Sequence, residues 1–437
     1  PQGAEVVHGQ VEISSPSANV LSITNSPGAV INWQSFGISP NEITQFIQQG
    51  SHSAILNRVI GQDPSQIMGQ LLSNGKVFLI NPNGIVFGPN SVVDTAGLIA
   101  SSLNLTDQDF LNGNMQFDGS AQNGAIQSQG YIKAGLNGDV YLIAPNIENS
   151  GIIETQGGQI ILAAGEKLTL ASFDTENIVF EVQASTNEVT NLGNMITYGG
   201  AASIFAGTIT HSGSINADSV SVDSQGQIVL AATHDITVEV GATITASGSN
   251  GGNIQIESEI GTTWVSGTVQ ATGSSDAGGK VEILGEYVGI INNASIDASG
   301  ETGGGEVLIG GDYLGGNDDV KNAKGTYVAE SVEIKVKDDE YINLDNLKIR
   351  AMYTPGHTSD SYSFLMDNYL FSGDTLLING TGRTDFQNGN AKDAYNSIFN
   401  KLLKLQEETL LYPAHDYKGE KVSTIGKEKK QNPRLQV

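Results

Sequence analysis

Ile244-Thr245-Ala246-Ser247-Gly248 runs through Gly251-Gly252 to Ile254-Gln255-Ile256, and the same phrase then returns twice. Val269-Gln270-Ala271-Thr272-Gly273 leads through Gly278-Gly279 to Val281-Glu282-Ile283, and Ile296-Asp297-Ala298-Ser299-Gly300 leads through Gly303-Gly304-Gly305 to Val307-Leu308-Ile309. The intervals from Ala246 to Ala271 and from Ala271 to Ala298 are 25 and 27 residues. A weaker echo is Ile153-Glu154-Thr155-Gln156-Gly157-Gly158-Gln159-Ile160. A strand–turn–strand unit of this length cannot bury its apolar side alone, but stacked coils share one continuous core. Small or β-branched side chains point inward, and Thr, Ser, Asn, Asp and Gly fill the outside and the corners, a composition that fits a parallel β-helix. A sandwich would show hairpin loops without the long-period echo, and a propeller would repeat at about 40 residues or more. Coils of about 25 residues stacked at ~4.8 Å turn 300 residues into a rod of roughly 12 coils, about 60 Å long.

Upstream of the repeat the same texture holds. Val20-Leu21-Ser22-Ile23, Ala29-Val30-Ile31-Asn32-Trp33, Lys76-Val77-Phe78-Leu79-Ile80 and Asp139-Val140-Tyr141-Leu142-Ile143 are runs of β-formers bounded by turn residues. Helical signals are nearly absent from residues 10–330.

The charge distribution marks where this texture stops. The 437 residues contain 21 Lys+Arg and 47 Asp+Glu, a formal net charge of −26. Residues 1–330 hold seven basic residues (Arg58, Lys76, Lys133, Lys167, Lys280, Lys321, Lys324) against 32 acidic ones, whereas residues 331–437 hold 14 against 15. Glycine divides the same way, 47 before the break and seven after. Domains are therefore expected at 1–330 and 331–437. A body so poor in cations cannot make the phosphate contacts of nucleic-acid binding, and anionic membrane surfaces repel it. No apolar run approaches the ~18 to 20 residues that span a bilayer. There is no Cys, hence no disulfide framework and no thiol chemistry. The chain begins at Pro1 without Met or a leader-like segment, and a mature exported protein is expected.

After residue 330 an α+β texture takes over. Lys335 to Ile349 reads as two short charged strands, and Tyr362–Leu370 and Phe371–Ile378 read as strands. Ala391–Glu408 reads as an amphipathic helix with Ala394, Ile398, Leu402 and Leu405 at spacings of three and four, and Leu410–Tyr412 as a short strand before Pro413.

Ile31-Asn32-Trp33-Gln34-Ser35-Phe36, Leu56-Asn57-Arg58-Val59-Ile60-Gly61, Asp63-Pro64-Ser65-Gln66-Ile67 and Val77-Phe78-Leu79-Ile80-Asn81-Pro82-Asn83-Gly84-Ile85 follow one another in order. Together they resemble the N-terminal domain of two-partner-secreted exoproteins, the filamentous-haemagglutinin family of Gram-negative bacteria, over roughly residues 5–329. Gly310-Gly311-Asp312-Tyr313 and Asn322-Ala323-Lys324-Gly325-Thr326-Tyr327 resemble the β-helix further along the same proteins. The resemblance implies a right-handed parallel β-helix, an outer-membrane transporter as partner, a place outside the cell or on its surface, and an adhesin-type role with a host or cell-surface receptor. Asn81, Pro82, Asn83, Gly84 and Ile85 would be its secretion motif. On the residues alone Asn81–Ile85 is a tight turn that closes a coil: Pro82 presets φ, Asn83 and Gly84 tolerate positive φ, and Asn81 can bond its own backbone. Arg58, nearly alone as a cation, is expected to pair with a carboxylate, and Trp33 to sit in a cap or in the coil core, with sugar stacking as the functional alternative.

The tail carries a second set of phrases: Thr354-Pro355-Gly356-His357-Thr358, Phe371-Ser372-Gly373-Asp374-Thr375-Leu376-Leu377-Ile378, Gly382-Arg383-Thr384-Asp385-Phe386-Gln387-Asn388-Gly389, Tyr412-Pro413-Ala414-His415-Asp416-Tyr417 and Asn432-Pro433-Arg434-Leu435. In this order they resemble the metallo-β-lactamase superfamily, and within it the glutathione-dependent persulfide dioxygenases. That resemblance implies half of an αββα fold. It makes His357 and Asp374 two ligands of a mononuclear Fe(II) in a facial triad, and His415 the third metal-site histidine, standing behind the ligands in this subfamily. Arg383, Tyr417 and Arg434 would face the carboxylates of glutathione. The superfamily's leading His-x-His-x-Asp-His motif is missing: the six histidines are His8, His52, His211, His234, His357 and His415, and no two form His-x-His. One ligand of the triad is therefore absent from the chain, and a lone half would expose the apolar side of its strands.

Three readings follow. The first is a secreted β-helix exoprotein with an inactive dioxygenase-like tail and no cofactor in the single chain. The second is an Fe(II) persulfide dioxygenase whose site is completed by another chain. The third is a chimeric fusion in which each part carries only its ancestry.

Overall fold

The computed structural model describes all residues except 121, 171–186, 220–224, 313–316, 336–340, 345–346, 386–387, 416–418 and 437. Three parallel ladders wind into a β-helix. One contains Ala29–Trp33, Ala54–Val59, Lys76–Ile80, Gly97–Ser101, Val140–Ala144, Gln159–Ala164, Ala201–Ala206, Gln227–Ala232, Asn253–Ser258, Lys280–Leu284, Glu306–Ile309 and Tyr341–Leu344, twelve coils among the described residues. The three phrases that revealed the repeat stack in register: Ile254 lies beside Val281 and Val281 beside Val307, while Ile244 lies beside Val269 and Val269 beside Ile296.

One apolar core fills the coils. Ile23, Ile31, Trp33, Ile55, Val77, Leu98, Val140, Ile160, Ile228, Ile254, Val281 and Val307 belong to a single buried cluster. Two antiparallel pairings start the rod, Glu5–His8 against Ala29–Trp33 and Val11–Ser17 against Val20–Asn25. Antiparallel strands at a β-helix end interrupt the parallel stack and cover its open edge.

Close stacking dictates the corner residues. At Gly158, Gly200, Gly252, Gly279 and Gly305 an added Cβ would lie inside the van der Waals envelope of a carbonyl oxygen one coil earlier, on Gly138, Gly158, Gly226, Gly252 and Gly279 respectively. The paired glycines of the repeat are thus required by the approach of neighbouring backbones, and not only by turn conformation.

Polar side chains are stacked inside as well. Asn149 donates to Asn191 (2.8 Å), Asn191 Nδ2 meets His211 Nδ1 (3.1 Å), and His211 Nε2 lies 3.3 Å from the Thr243 carbonyl oxygen. A neutral ring with its proton on Nε2 satisfies both ends. Burial holds the His211 pKa below its ordinary 6.5. The unfolded chain therefore takes up the proton first, so His211 favours the fold above pH 6.5 and withdraws that support as pH falls below it. Between pH 7 and 5, wild-type urea midpoints are expected to fall further than those of His211→Gln; parallel curves would contradict this account.

One helix interrupts the rod where none was expected. Asp107–Asn112 is capped by Thr106, whose side chain accepts from the Asp109 amide. With the small sheet of Asn104–Leu105, Met115–Asp118 and Lys167–Leu170 it covers a second apolar cluster on the outer side of the coils, containing Phe78, Ile80, Ile99, Phe110, Phe117 and Tyr141. Arg58 fastens this cover through Asp107 (2.6 Å) and the Leu105 carbonyl oxygen (2.6 Å). Trp33 is a coil-core residue, edge-on to Phe36 and donating to Asn57 Oδ1 at 3.0 Å.

Past residue 330 the chain first completes the last coil, with Glu333–Lys335 beside Ser295–Asp297 and Tyr341–Leu344 beside Glu306–Ile309. Leu347–Tyr353 then turns back antiparallel on Tyr341–Leu344, and Tyr362–Met366, Tyr369–Gly373, Leu410–Pro413 and Ser423–Thr424 extend the same sheet. The two longer strands expected here divide at Asp367 (φ +50°) and again after Gly373, leaving Leu376–Leu377 as a short separate strand. The expected helix is Ala391–Tyr395, followed by a wider π turn over Asn396–Lys401 and a tight 3-10 turn over Leu402–Lys404. Its Ile398 and Leu402 pack with Met352, Leu370, Leu411, Ile425 and Leu435 on one side of the sheet.

Candidate functional site

Two places carry the residues singled out above. In the rod, the Asn81 side chain is fully buried. Its Nδ2 donates to the Asp63 carbonyl oxygen (3.0 Å) and to Ser65 Oγ (2.9 Å), and its Oδ1 accepts from the amide of Asn83 (3.0 Å) and from Asn83 Nδ2 (3.1 Å). The Gly84 amide closes the turn onto the Asn81 carbonyl oxygen at 3.0 Å, and Asn83 Nδ2 reaches the Gly61 carbonyl oxygen at 2.9 Å. Positive φ falls on Gly84 (+103°), whereas Asn83 keeps a negative one. Asn81, Gly84 and Ile85 are buried while Pro82 and Asn83 are exposed. The five residues thus tie one coil to the preceding one and present a two-residue tip to solvent.

In the tail, the loop after Tyr353 brings His357 to Asp374, which follows strand Tyr369–Gly373, and Leu410–Pro413 delivers His415 to the same carboxylate. His357 Nδ1 lies 2.8 Å from the Arg383 carbonyl oxygen and donates to it, and Nε2 lies 3.7 Å from Asp374 Oδ2. Gly382 makes this convergence possible, because a Cβ there would overlap the Asp374 carbonyl oxygen and press on the His357 side chain. His415 Nδ1 is hydrogen-bonded to Asp374 Oδ1 at 2.6 Å. That contact ties His415 to the same carboxylate.

Beside this trio lies a cavity of about 480 Å³ lined by Arg383, Asp385, Tyr395, Phe399, Arg434 and Leu435 among others. Arg383 and Arg434 are thus brought to one cavity. Arg383 is held in a two-pronged pair with Asp385, Nε–Oδ1 2.9 Å and Nη2–Oδ2 3.0 Å. That pairing holds the Asp385 carboxyl below the usual range and raises the guanidinium. Tyr417 lies outside the described residues. Asp385, Tyr395 and Phe399 were not singled out from the sequence, although Asp385 belongs to the Gly-Arg-Thr-Asp phrase.

Against an Fe(II) triad, His357 Nε2 and an Asp374 oxygen are two available donors, and His415 Nδ1 is hydrogen-bonded to Asp374. Among the described residues, no group of three or more His, Cys, Asp or Glu side chains is gathered as a metal-holding cluster. Among the described residues the donor set of a facial triad is incomplete.

The family model described as TPS secretion domain matches residues 1–256. The chain belongs to the TPS secretion domain family. Its rod is similar to the HMW1 secretion domain from Haemophilus influenzae, at 36% identity with a TM-score of 0.66, covering 78% of this chain and 84% of that one. The heme/hemopexin-binding protein of Haemophilus influenzae (strain ATCC 51907 / DSM 11121 / KW20 / Rd) is 31% identical over 202 residues, 44% of this chain and 22% of that protein. Beyond the TPS secretion domain, residues 331–415 match the metallo-beta-lactamase superfamily. The mitochondrial persulfide dioxygenase ETHE1 of Homo sapiens is 41% identical over 105 residues, 24% of this chain and 41% of that enzyme. The chain spans about a fifth of the one curated relative and two fifths of the other. It is thus a two-part protein, a TPS β-helix followed by a small part similar to one half of a metallo-β-lactamase fold. Among the described residues no helix is long and apolar enough to cross a membrane, which leaves strands unaddressed.

Proposed function

We propose that residues 1–330 are the export unit of a two-partner-secretion exoprotein, recognised by an outer-membrane transporter and delivered to the outside or the surface of a Gram-negative cell. The observation that carries this reading is the match of the TPS secretion domain over residues 1–256. The similarity of the whole rod to a solved secretion domain supports it. The acidic, cation-poor rod suits an extracellular scaffold better than a nucleic-acid or membrane binder. An adhesin-type role, with a receptor on a host or another cell, belongs to the same proposal. Coexpressed behind an export leader with a cognate transporter, residues 1–330 are expected in the culture medium; retention in the periplasm would overturn the reading.

Residues 331–437 form, in the same proposal, a unit of separate ancestry without turnover in the single chain. The support is the donor count at His357 and Asp374 and the engagement of Arg383 by Asp385. The second reading keeps the enzyme: another chain supplies the missing iron ligand, and His357 and Asp374 would hold an Fe(II) that supplies the oxygenase chemistry. What favours it is the convergence of His357 Nε2 and the Asp374 carboxylate, 3.7 Å apart, beside a cavity lined by Arg383 and Arg434. Elemental iron and O2 uptake on glutathione persulfide decide between them. The purified chain is expected to show neither, and stoichiometric iron with turnover would reverse the assignment.

A further inference from the structure

The rod's interior does not end at the last coil. Cross-strand partners share a side of a sheet, and one row of them runs unbroken from the core into the tail. Val281 lies beside Val307, Val307 beside Ile342, Ile342 beside Ile349, Ile349 beside Met366, Met366 beside Tyr369 and Tyr369 beside Leu410. A second row continues Ala351–Phe364–Phe371–Tyr412. Val281 and Val307 lie inside the coils. The same side of the sheet, a few strands later, is open: Leu347 is 43% exposed, Phe364 37%, Tyr369 40% and Phe371 42%. Among the described residues the helices cover the opposite side, through Met352, Leu370 and Leu411.

The open side is uniform in chemistry. Ile349, Ala351, Tyr353, Tyr362, Phe364, Met366, Tyr369, Phe371, Leu410 and Tyr412 alternate along four strands, and none carries a charge. The rings already group among themselves, Tyr362 on Phe364 at 6.4 Å and Phe371 on Tyr412 at 5.6 Å between centroids. A sheet with helices on one side and an apolar aromatic surface on the other is one layer short of a closed core.

We propose that this surface is where a second copy of the chain docks, sheet against sheet about a two-fold axis. Four strands of about five residues present a surface of about 300 Å² per copy, about 600 Å² in all, the size of a weak and transient contact. The contact is isologous, so the occupant must be apolar, sheet-like and free of charge, and the same surface of another copy meets all three conditions. Charge selects this end of the molecule. The rods carry nearly all of the net negative charge and repel each other side by side, whereas residues 331–437 hold 14 cations against 15 anions.

The test is sedimentation equilibrium of the full chain between about 1 and 100 μM, where an interface of this size gives measurable dissociation. A monomer–dimer equilibrium is expected, at least about tenfold weaker in Phe371→Glu and weakened in Phe371→Ser, which removes the ring without adding charge. Trp264→Glu, on the outside of the rod, should leave it unchanged. Near-ultraviolet circular dichroism and resistance of the tail to proteolysis show that each variant remains folded. A wild-type chain that stays monomeric throughout the range overturns the proposal, as does a dimer indifferent to both Phe371 substitutions. Dimerisation by Phe371→Glu equal to wild type with loss in Trp264→Glu would place the contact on the rod instead.

Discussion

Gly279→Val is expected to break the rod in two. Its new Cβ would fall on the Gly252 carbonyl oxygen, and no side chain can move aside because the obstacle is backbone. The strand after the corner, Lys280–Leu284, pairs with Asn253–Ser258 on one side and Glu306–Ile309 on the other. Relieving the overlap means prising apart coils that are hydrogen-bonded along their length. Overpacking against backbone costs about 3 kcal/mol or more, a large fraction of a marginal stability. In a stacked array each coil touches only its neighbours, so the damage stays at one interface and uncouples what lies on either side. Wild type is expected to unfold in urea with the rod as one transition, and Gly279→Val with two, the earlier one releasing residues beyond Ser258 to protease. Gly303→Val is the control, since a Cβ there meets nothing within 4 Å. Equal midpoints for wild type and Gly279→Val would refute the backbone-contact account of the glycine column.

How much of this was legible from the sequence depended on whether a residue acts through a repeated pattern. The Ala-Ser-Gly and Gly-Gly phrases gave the coil, its length and its stacking partners, because a β-helix writes the same contact once per turn. The ladder has twelve coils among the described residues, near the rough count from about 25 residues per coil, although single coils depart from that length. The helix Asp107–Asn112 was not legible: six residues are too short for helical periodicity, and only the Thr106 and Asp109 cap and the cover over Phe78 make it favourable. In the tail, His357, Asp374 and His415 are legible through motif resemblance, and the structure brings both histidines to the Asp374 carboxylate. Asp385 was quoted within a motif and given no role, although its capture of Arg383 changes what that cavity offers a ligand. The aromatic rows were visible as alternation in Tyr362 and Phe364 and again in Tyr369 and Phe371. That the side they share continues the rod's core required the register of every strand between them.

Asn81→Ala should cost the rod about 2–4 kcal/mol, more than a surface turn residue can account for. The side chain is fully buried and fills its hydrogen-bonding capacity with Asp63, Ser65 and Asn83. Truncation leaves Ser65 Oγ, itself fully buried, without that donor, and the Asn83 amide without its acceptor. Stranded polar groups of this kind cost about 1–3 kcal/mol each, whereas an exposed asparagine in the same turn would be replaced by water. Asn83→Ala makes the comparison, because Asn83 is exposed and its loss should cost under about 1 kcal/mol. Measured by urea unfolding of purified residues 1–330 beside yield in the medium, Asn81→Ala is expected to lower both together. A drop in secretion with unchanged stability would move Asn81 from the folding of the coil to recognition by the transporter. Stability retained in both variants would show that the turn acts through its backbone alone. The burial pattern argues against that outcome, since it divides Asn81, Gly84 and Ile85, which hold the coil, from Pro82 and Asn83, which meet solvent.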